Sequence, residues 1–272
     1  EGYNIAFGDI PETLLKCIHD STSAAVRGVG AALIGKQPDN ELINQLSLLI
    51  GLYQTGDKPE RVALLAILQR LTVKQSTWEE QILQAMMGLA FKAEQQEGQH
   101  DELVDFFSSH LQQGLETLDK DTLWRLLQAR SVAAQRIGAI SLASRRAELF
   151  TVKQWAMLGR HADISVRQFA FAAYENNVPI IKQNTRDALL LVDNPWDDAS
   201  EFGFNFFKQN FDDQDWNPQT IIFLCDSVNE AVQAFGRELL QRFFKQEDGV
   251  EYLLKLSQHP SNNVQLFVSN FL

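Results

Sequence analysis

Ser165–Asn177 reads SVRQFAFAAYENN, and its spacing decides the fold. Val166, Phe169, Ala170 and Ala173 fall at i, i+3, i+4 and i+7, the stripe of a helix with one buried face. The same opening recurs in ASEFGFNFFKQNF (199–211), EAVQAFGRELLQRFF (230–244) and NVQLFVSNFL (263–272). Toward the N-terminus, SVAAQRIGAISLA (131–143), RVALLAILQRL (61–71) and AAVRGVGAALIG (24–35) fit the same frame. Taking Val26, Val62, Val132, Val166, Phe202, Val232 and Val264 as anchors gives intervals of 36, 70, 34, 36, 30 and 32. The long interval leaves room for one divergent unit centred on Val104, so the frame predicts about eight units. A period of this length is the mark of a solenoid, whose units bury a core only against their neighbours.

Each clear anchored helix follows a second apolar helix and a short polar turn. Val152–Arg160 leads through His161, Ala162 and Asp163 into Ser165, and Pro218–Cys225 leads through Asp226 and Ser227 into the helix at Glu230. Arg186–Val192 and Val250–Ser257 lead through comparable turns at 193–197 and 259–261. Asp, Ser and Asn in such turns are N-cap residues, accepting the unpaired first-turn amides. The prolines (11, 38, 59, 179, 195, 218 and 260) sit at helix starts or in turns, where a missing N–H does no harm. No period-two strand is present. The expected class is all-α.

A leucine-rich helix, an Asp-bearing turn, then Val-Arg and alanines resembles the HEAT-like (armadillo-type) repeat family. Ala156-Met157-Leu158 followed by Asp163-Ile164-Ser165-Val166-Arg167-Gln168-Phe169-Ala170 carries the resemblance most fully, and Ala25-Val26-Arg27 with Ala31-Ala32 comes next. Only these two units keep Val-Arg together; three C-terminal units place phenylalanine where the family has small residues, and 77–114 fits poorly. The resemblance implies a right-handed α-α superhelix of about eight helix pairs, one domain over 1–272. The apolar run Leu266–Leu272 and the start at Glu1 rather than Met lead to the expectation of a segment of a longer protein. Further repeats, or a second subunit, would then lie against the C-terminal helix.

Composition narrows the function. With 272 residues and 45% hydrophobic content, the chain can bury a large core. No run approaches the roughly 18 uncharged apolar residues of a membrane helix, and no secretory signal is legible, so no membrane partner is expected. Cys17 and Cys225 lack zinc or disulfide spacing and fit a reducing, cytoplasmic setting. The net charge of −11 disfavours polyanions as partners of the whole chain. Residues 120–170 are the exception, with 9 Lys/Arg against 3 Asp/Glu.

Gly30–Gln37 misses the phosphate-binding loop pattern because Gln37 replaces the metal-binding hydroxyl and no strand precedes it; a close-packed helix ended by Gly35 accounts for it. Asp193, Asp197 and Asp198, like Asp212, Asp213 and Asp215, lack a calcium loop's spacing and glycine, and read as capping turns. His19-Asp20 and His100-Asp101 are similar to half of the His-Glu pairs of a HEAT-like hydroxylase family, which needs glutamate and four such pairs. Ser108-Ser109-His110 is adjacency without triad geometry. No catalytic residue, metal site or cofactor is expected.

Thirteen of the 18 phenylalanines lie between 169 and 271; most are expected in the core, with an exposed peptide groove as the alternative. The basic stretch supplies the candidate partner-binding residues Arg130, Arg136, Arg145, Arg146, Arg160 and Arg167. Arginine pairs bidentately with carboxylate or phosphate. Internal salt bridging, for instance of Arg167 to Asp163 or to neighbouring acidic repeats, is the competing use. The reading adopted is a non-catalytic protein–protein interaction scaffold whose concave face binds an acidic protein or peptide at these arginines. The alternative is a nucleic-acid-binding solenoid, by likeness to HEAT-like DNA glycosylases, using the same arginines on phosphates.

Overall fold

A computed structural model describes residues 20–271; Pro11, Cys17, His19 and Leu272, which entered the reading above, lie outside the described residues. All regular structure among the described residues is helical. The chain divides into two compact units, 1–145 and 146–272.

In the first unit the helices are α1 (Ala24–Ile34), α2 (Asp39–Asn44), α3 (Leu46–Thr55), α4 (Lys58–Thr72), α5 (Ser76–Ala90), α6 (Gln99–His110), α7 (Gln112–Glu116), α8 (Lys120–Leu127) and α9 (Val132–Leu142). The successive helices α1, α4, α6 and α9 pack on one another, while α3 packs on α5 beside them. In the second unit they are α10 (Val152–Leu158), α11 (Ile164–Asn176), α12 (Val178–Gln183), α13 (Thr185–Ala188), α14 (Asp197–Asn210), α15 (Pro218–Cys225), α16 (Glu230–Phe243), α17 (Gly249–Leu256) and α18 (Asn262–Phe271). Here α10 packs on α13 and α15 on α17, and beside them α11 packs on α14 and α16 on α18. Each unit is therefore a two-layer arrangement of paired helices.

The repeat starts at a helix N-cap. Ser23, Asp57, Gly98 and Ser131 precede α1, α4, α6 and α9; Asp163, Trp196, Asn229 and Ser261 precede α11, α14, α16 and α18. The intervals are 34, 41, 33, 32, 33, 33 and 32 residues. Asp57, Ser131, Asp163 and Asn229 accept first-turn amides with their side chains, as N-caps do. The residue four past the N-cap closes the turn. Gln135 donates to the Ala129 carbonyl at 2.7 Å, Arg167 to that of His161 at 2.9 Å, Ser200 to that of Asn194 at 3.2 Å and Gln265 to that of His259 at 2.7 Å. Arg27 makes the same bond to Ser21 and Gln233 to Ser227. The acceptor residue often reciprocates: the Nδ1 atoms of His161 and His259 accept the amides of Asp163 and Ser261, each at 3.0 Å. A turn locked from both sides fixes the angle at which one helix follows the other.

This register corrects part of the anchor assignment. Val166, Val232 and Val264 are buried one residue before the turn-closing side chain, but Val62 and Val132 are 56% and 67% exposed. Glu60, Ala134 and Ala199 hold the buried position in their repeats. The apolar side chains at Val62 and Val132 imitate the anchor in sequence while pointing to solvent. Val104 is buried in α6 at the divergent 41-residue interval.

Seven residues past the N-cap, small residues let paired helices cross. A Cβ on Gly236 would stand 2.7 Å from the backbone nitrogen of Cys225, and one on Gly138 would stand 3.1 Å from that of Leu127. Of the thirteen phenylalanines between 169 and 271, Phe206, Phe207, Phe211 and Phe235 are buried and meet Trp216 and one another edge-on or tilted, seven are half-buried, and Phe223 and Phe271 are exposed, so fewer reach the core than expected.

Candidate interaction surface

The basic residues of 120–170 divide between the two units. In the first unit, Arg145 is half-buried and donates to the carbonyls of Leu115 and Leu118 at 3.1 and 2.7 Å. These are the open carbonyls around the end of α7, so Arg145 serves the fold. Arg130 is exposed, and Arg136 pairs with Asp101 of α6 at 2.5 Å with 41% of its side chain exposed.

Arg130 and Arg136 line one groove of ≈ 630 Å³, together with Phe91, Lys92, Glu94 and His100. The long 41-residue interval builds its wall, since residues 91–98 bridge α5 to α6. That bridge is pinned at several points. Gln99 is buried and donates to the Tyr53 and Gln54 carbonyls at 3.0 and 3.1 Å, while its side-chain oxygen accepts the Gln95 amide. Arg61, 1% exposed, binds the Glu102 carboxylate through two nitrogens at 2.7 and 2.9 Å and caps the carbonyls of Gly56 and Glu97. Tyr53 Oη donates to the Gln99 carbonyl, and burial pushes its phenol well above the usual range. The groove is thus preformed, and the Phe91 ring in its lining is itself covered by Arg125 at 5.4 Å.

In the second unit Arg167 is buried. It meets Asp198 at 2.9 Å, caps the carbonyls of His161 and Ala162, and lies 4.7 Å over the Trp196 ring. Its acid belongs to the neighbouring repeat rather than to Asp163, which caps Ser165. Burial raises the Asp163 carboxyl, but the Ser165 hydroxyl and amide outweigh it and hold the carboxyl below its usual value. Arg160 is exposed and donates to the Asp193 carbonyl, and Arg146 is exposed. Arg130 and Arg136 are accordingly the two candidates brought together in one groove, while Arg145 and Arg167 are committed to backbone caps.

The structural arginines that sequence reasoning missed are Arg27 and Arg61. A signal was present: Ser23 to Arg27, Asp57 to Arg61 and Asp163 to Arg167 share an N-cap-to-arginine spacing of four, and Ser131, Asn229 and Ser261 stand four before glutamine. Arg27 repeats the inter-repeat role by pairing with Asp57.

The acidic clusters act in turns and in pairs between repeats. Lys182 pairs with Asp215 at 2.6 Å, Asp212 accepts the Gln214 amide and Asp193 accepts from Asn229. Among the described residues no three His, Cys, Asp or Glu side chains are placed to hold a metal. His100 Nε2 sits 3.1 Å from the Lys92 carbonyl, Ser108 donates to the Asp105 carbonyl and the His110 ring packs on Phe106. Gly30–Gln37 contains the end of α1 and its C-cap Gly35. No described helix is long and apolar enough to cross a membrane.

No family model matches the chain, and no curated protein does. Among solved structures it is similar to the crystal structure of an engineered protein, at 17% identity, covering 94% of this chain and 76% of that one, with a TM-score of 0.30.

Proposed function

We propose that this chain is a non-catalytic interaction scaffold, a right-handed α-solenoid of about eight HEAT-like helix pairs working in the cytoplasm. The observation that carries the reading is the turn closed in the same way at six of the eight N-caps, because a unit repeated at 32–41 residues spends its core on its neighbours and leaves side chains for a partner. The partner is an acidic protein or peptide segment. It enters the groove of the first unit, where Arg130 is exposed and Arg136 can exchange Asp101 for a ligand carboxylate. A nucleic-acid backbone fits less well: Arg145 and Arg167 are occupied, and a duplex needs a broad row of free cations to displace its counterions.

Fluorescence anisotropy tests this with a labelled Asp/Glu-rich peptide and a labelled DNA duplex, each at about 50 and 150 mM salt. The peptide is expected to bind, and Arg130→Glu/Arg136→Glu to weaken it about tenfold. No peptide binding at low salt overturns the acidic-partner reading. Duplex binding that survives the higher salt and is lost in the variant replaces it with the nucleic-acid reading.

A further inference from the structure

The shared register shows which positions a repeat buries under the one that follows it. Eight residues before the N-cap of the second helix, Trp155, Ala188 and Ile221 are 2%, 0% and 1% exposed, and Leu253, their counterpart in the last repeat, is 42% exposed. One residue later, Ala156 and Leu189 are 0% and 1% exposed and Ile222 is half-buried, against 75% exposure for Leu254. On the second helix, Ala173, Phe206 and Leu239 are buried and Phe271 is 37% exposed. Val250, one turn before Leu254 on α17, is 66% exposed and extends the stripe. The apolar face made by α17 and α18 therefore continues the stacking surface of the repeats before it.

We propose that a second copy of this chain covers this face, with α17 packing antiparallel on its mate about a two-fold axis. Charge order along α17 makes it self-complementary and so fits that occupant. Glu247, Asp248 and Glu251 stand at its N-terminal end and exposed Lys255 at its C-terminal end. Antiparallel packing sets each Lys255 against the partner copy's acids, whereas parallel packing would oppose like charges. A two-fold axis perpendicular to α17 produces that antiparallel pairing, with the same patch facing itself. Val250 and Leu254, at i and i+4, then form the dry centre beneath Phe271.

The inference is independent of the acidic-partner reading, and its test does not use that groove. Sedimentation velocity of the full chain from about 1 to 100 μM, the range where interfaces of modest size associate, should show a monomer–dimer equilibrium. Leu254→Asp, at a solvent-facing position, should abolish the dimer while leaving the far-ultraviolet circular dichroism and peptide binding unchanged. A charge swap identifies the occupant. Lys255→Glu and Glu251→Lys chains should each dimerise about tenfold more weakly, and mixing them should restore the dimer, because each mate then faces opposite charge. A wild-type chain that stays monomeric throughout, a dimer indifferent to Leu254→Asp, or a mixture no tighter than either variant overturns the proposal.

Discussion

Arg167 and Asp198 meet at 2.9 Å across consecutive repeats, and the same guanidinium caps the carbonyls of His161 and Ala162. One side chain thus closes its own turn and fixes the next helix, with its acid in the first turn of α14 where the helix dipole also favours it. Arg61 repeats the arrangement with Glu102. Arginine suits this because its planar fork serves several acceptors at once.

Arg167→Ala should therefore destabilise the protein by about 2–4 kcal/mol, the range for losing a buried pair and leaving its carbonyls open. Arg167→Lys should recover little of this, because an ammonium cannot span both acceptor sets. Arg146→Ala, at an exposed residue, should fall within about 0.5 kcal/mol of wild type. Urea unfolding of the three variants measures the differences; equal effects at 146 and 167 would remove the structural role assigned to Arg167.

Two glycines should respond oppositely to alanine. Gly236→Ala places a methyl 2.7 Å from the Cys225 nitrogen and 2.9 Å from the Leu224 carbonyl carbon, so α16 must retreat from α15, at a cost of about 3 kcal/mol. Gly51 lies exposed within α3 with nothing within 4 Å of its added Cβ. Gly51→Ala should stabilise by about 0.5–1 kcal/mol by improving helix propensity. Thermal unfolding midpoints should move down for the first and up for the second.

Cys225 is buried beside Gly236, and burial pushes its thiol up to about 12. In the native chain at pH 8 it should resist a thiol-specific disulfide reagent, and it should react at once in denaturant. The folded pKa is raised, so the stability tied to this group is complete below the unfolded thiol pKa of about 8.5 and declines as pH rises toward 12. Fast labelling of Cys225 in a native Cys17→Ser chain at pH 8 would contradict this packing.

Asp215 has its carboxyl below the usual value: burial raises it, but the Asp212 amide and Lys182 outweigh burial. A depressed folded pKa contributes stability above the unfolded pKa of about 4 that is lost as pH falls through the folded value. Asp215→Asn should therefore lower stability at pH 7 by about 1 kcal/mol and flatten its decline below about pH 4. Denaturant midpoints across that range are the readout, and parallel pH profiles would deny Asp215 this role.

The stripe in Ser165–Asn177 and the capping turns before it made the helices of the second unit legible, because the periodicity of a half-buried helix and the chemistry of an N-cap are both local. The divergent repeat was less legible: a 41-residue interval breaks the frame, and Gly98, with φ of 77°, replaces the polar N-cap. Exposed Val62 and Val132 then passed for anchors, since a valine's face is not written in its identity.

The sequence by itself determined an all-helical chain, the repeat interval and a basic centre, because helical periodicity and charge are properties of neighbours along the chain. Only the tertiary structure decided how that charge is used. Whether an arginine meets water, a carbonyl or a carboxylate depends on residues some thirty positions away, as with Arg145 and Leu115 or Arg167 and Asp198. The groove that joins Arg130 and Arg136 likewise depends on a bridge pinned by Gln99 and Arg61, two side chains whose burial no local pattern announces. Hydrogen-bond satisfaction in a dry interior is settled by packing, and packing brings together residues that sequence keeps apart.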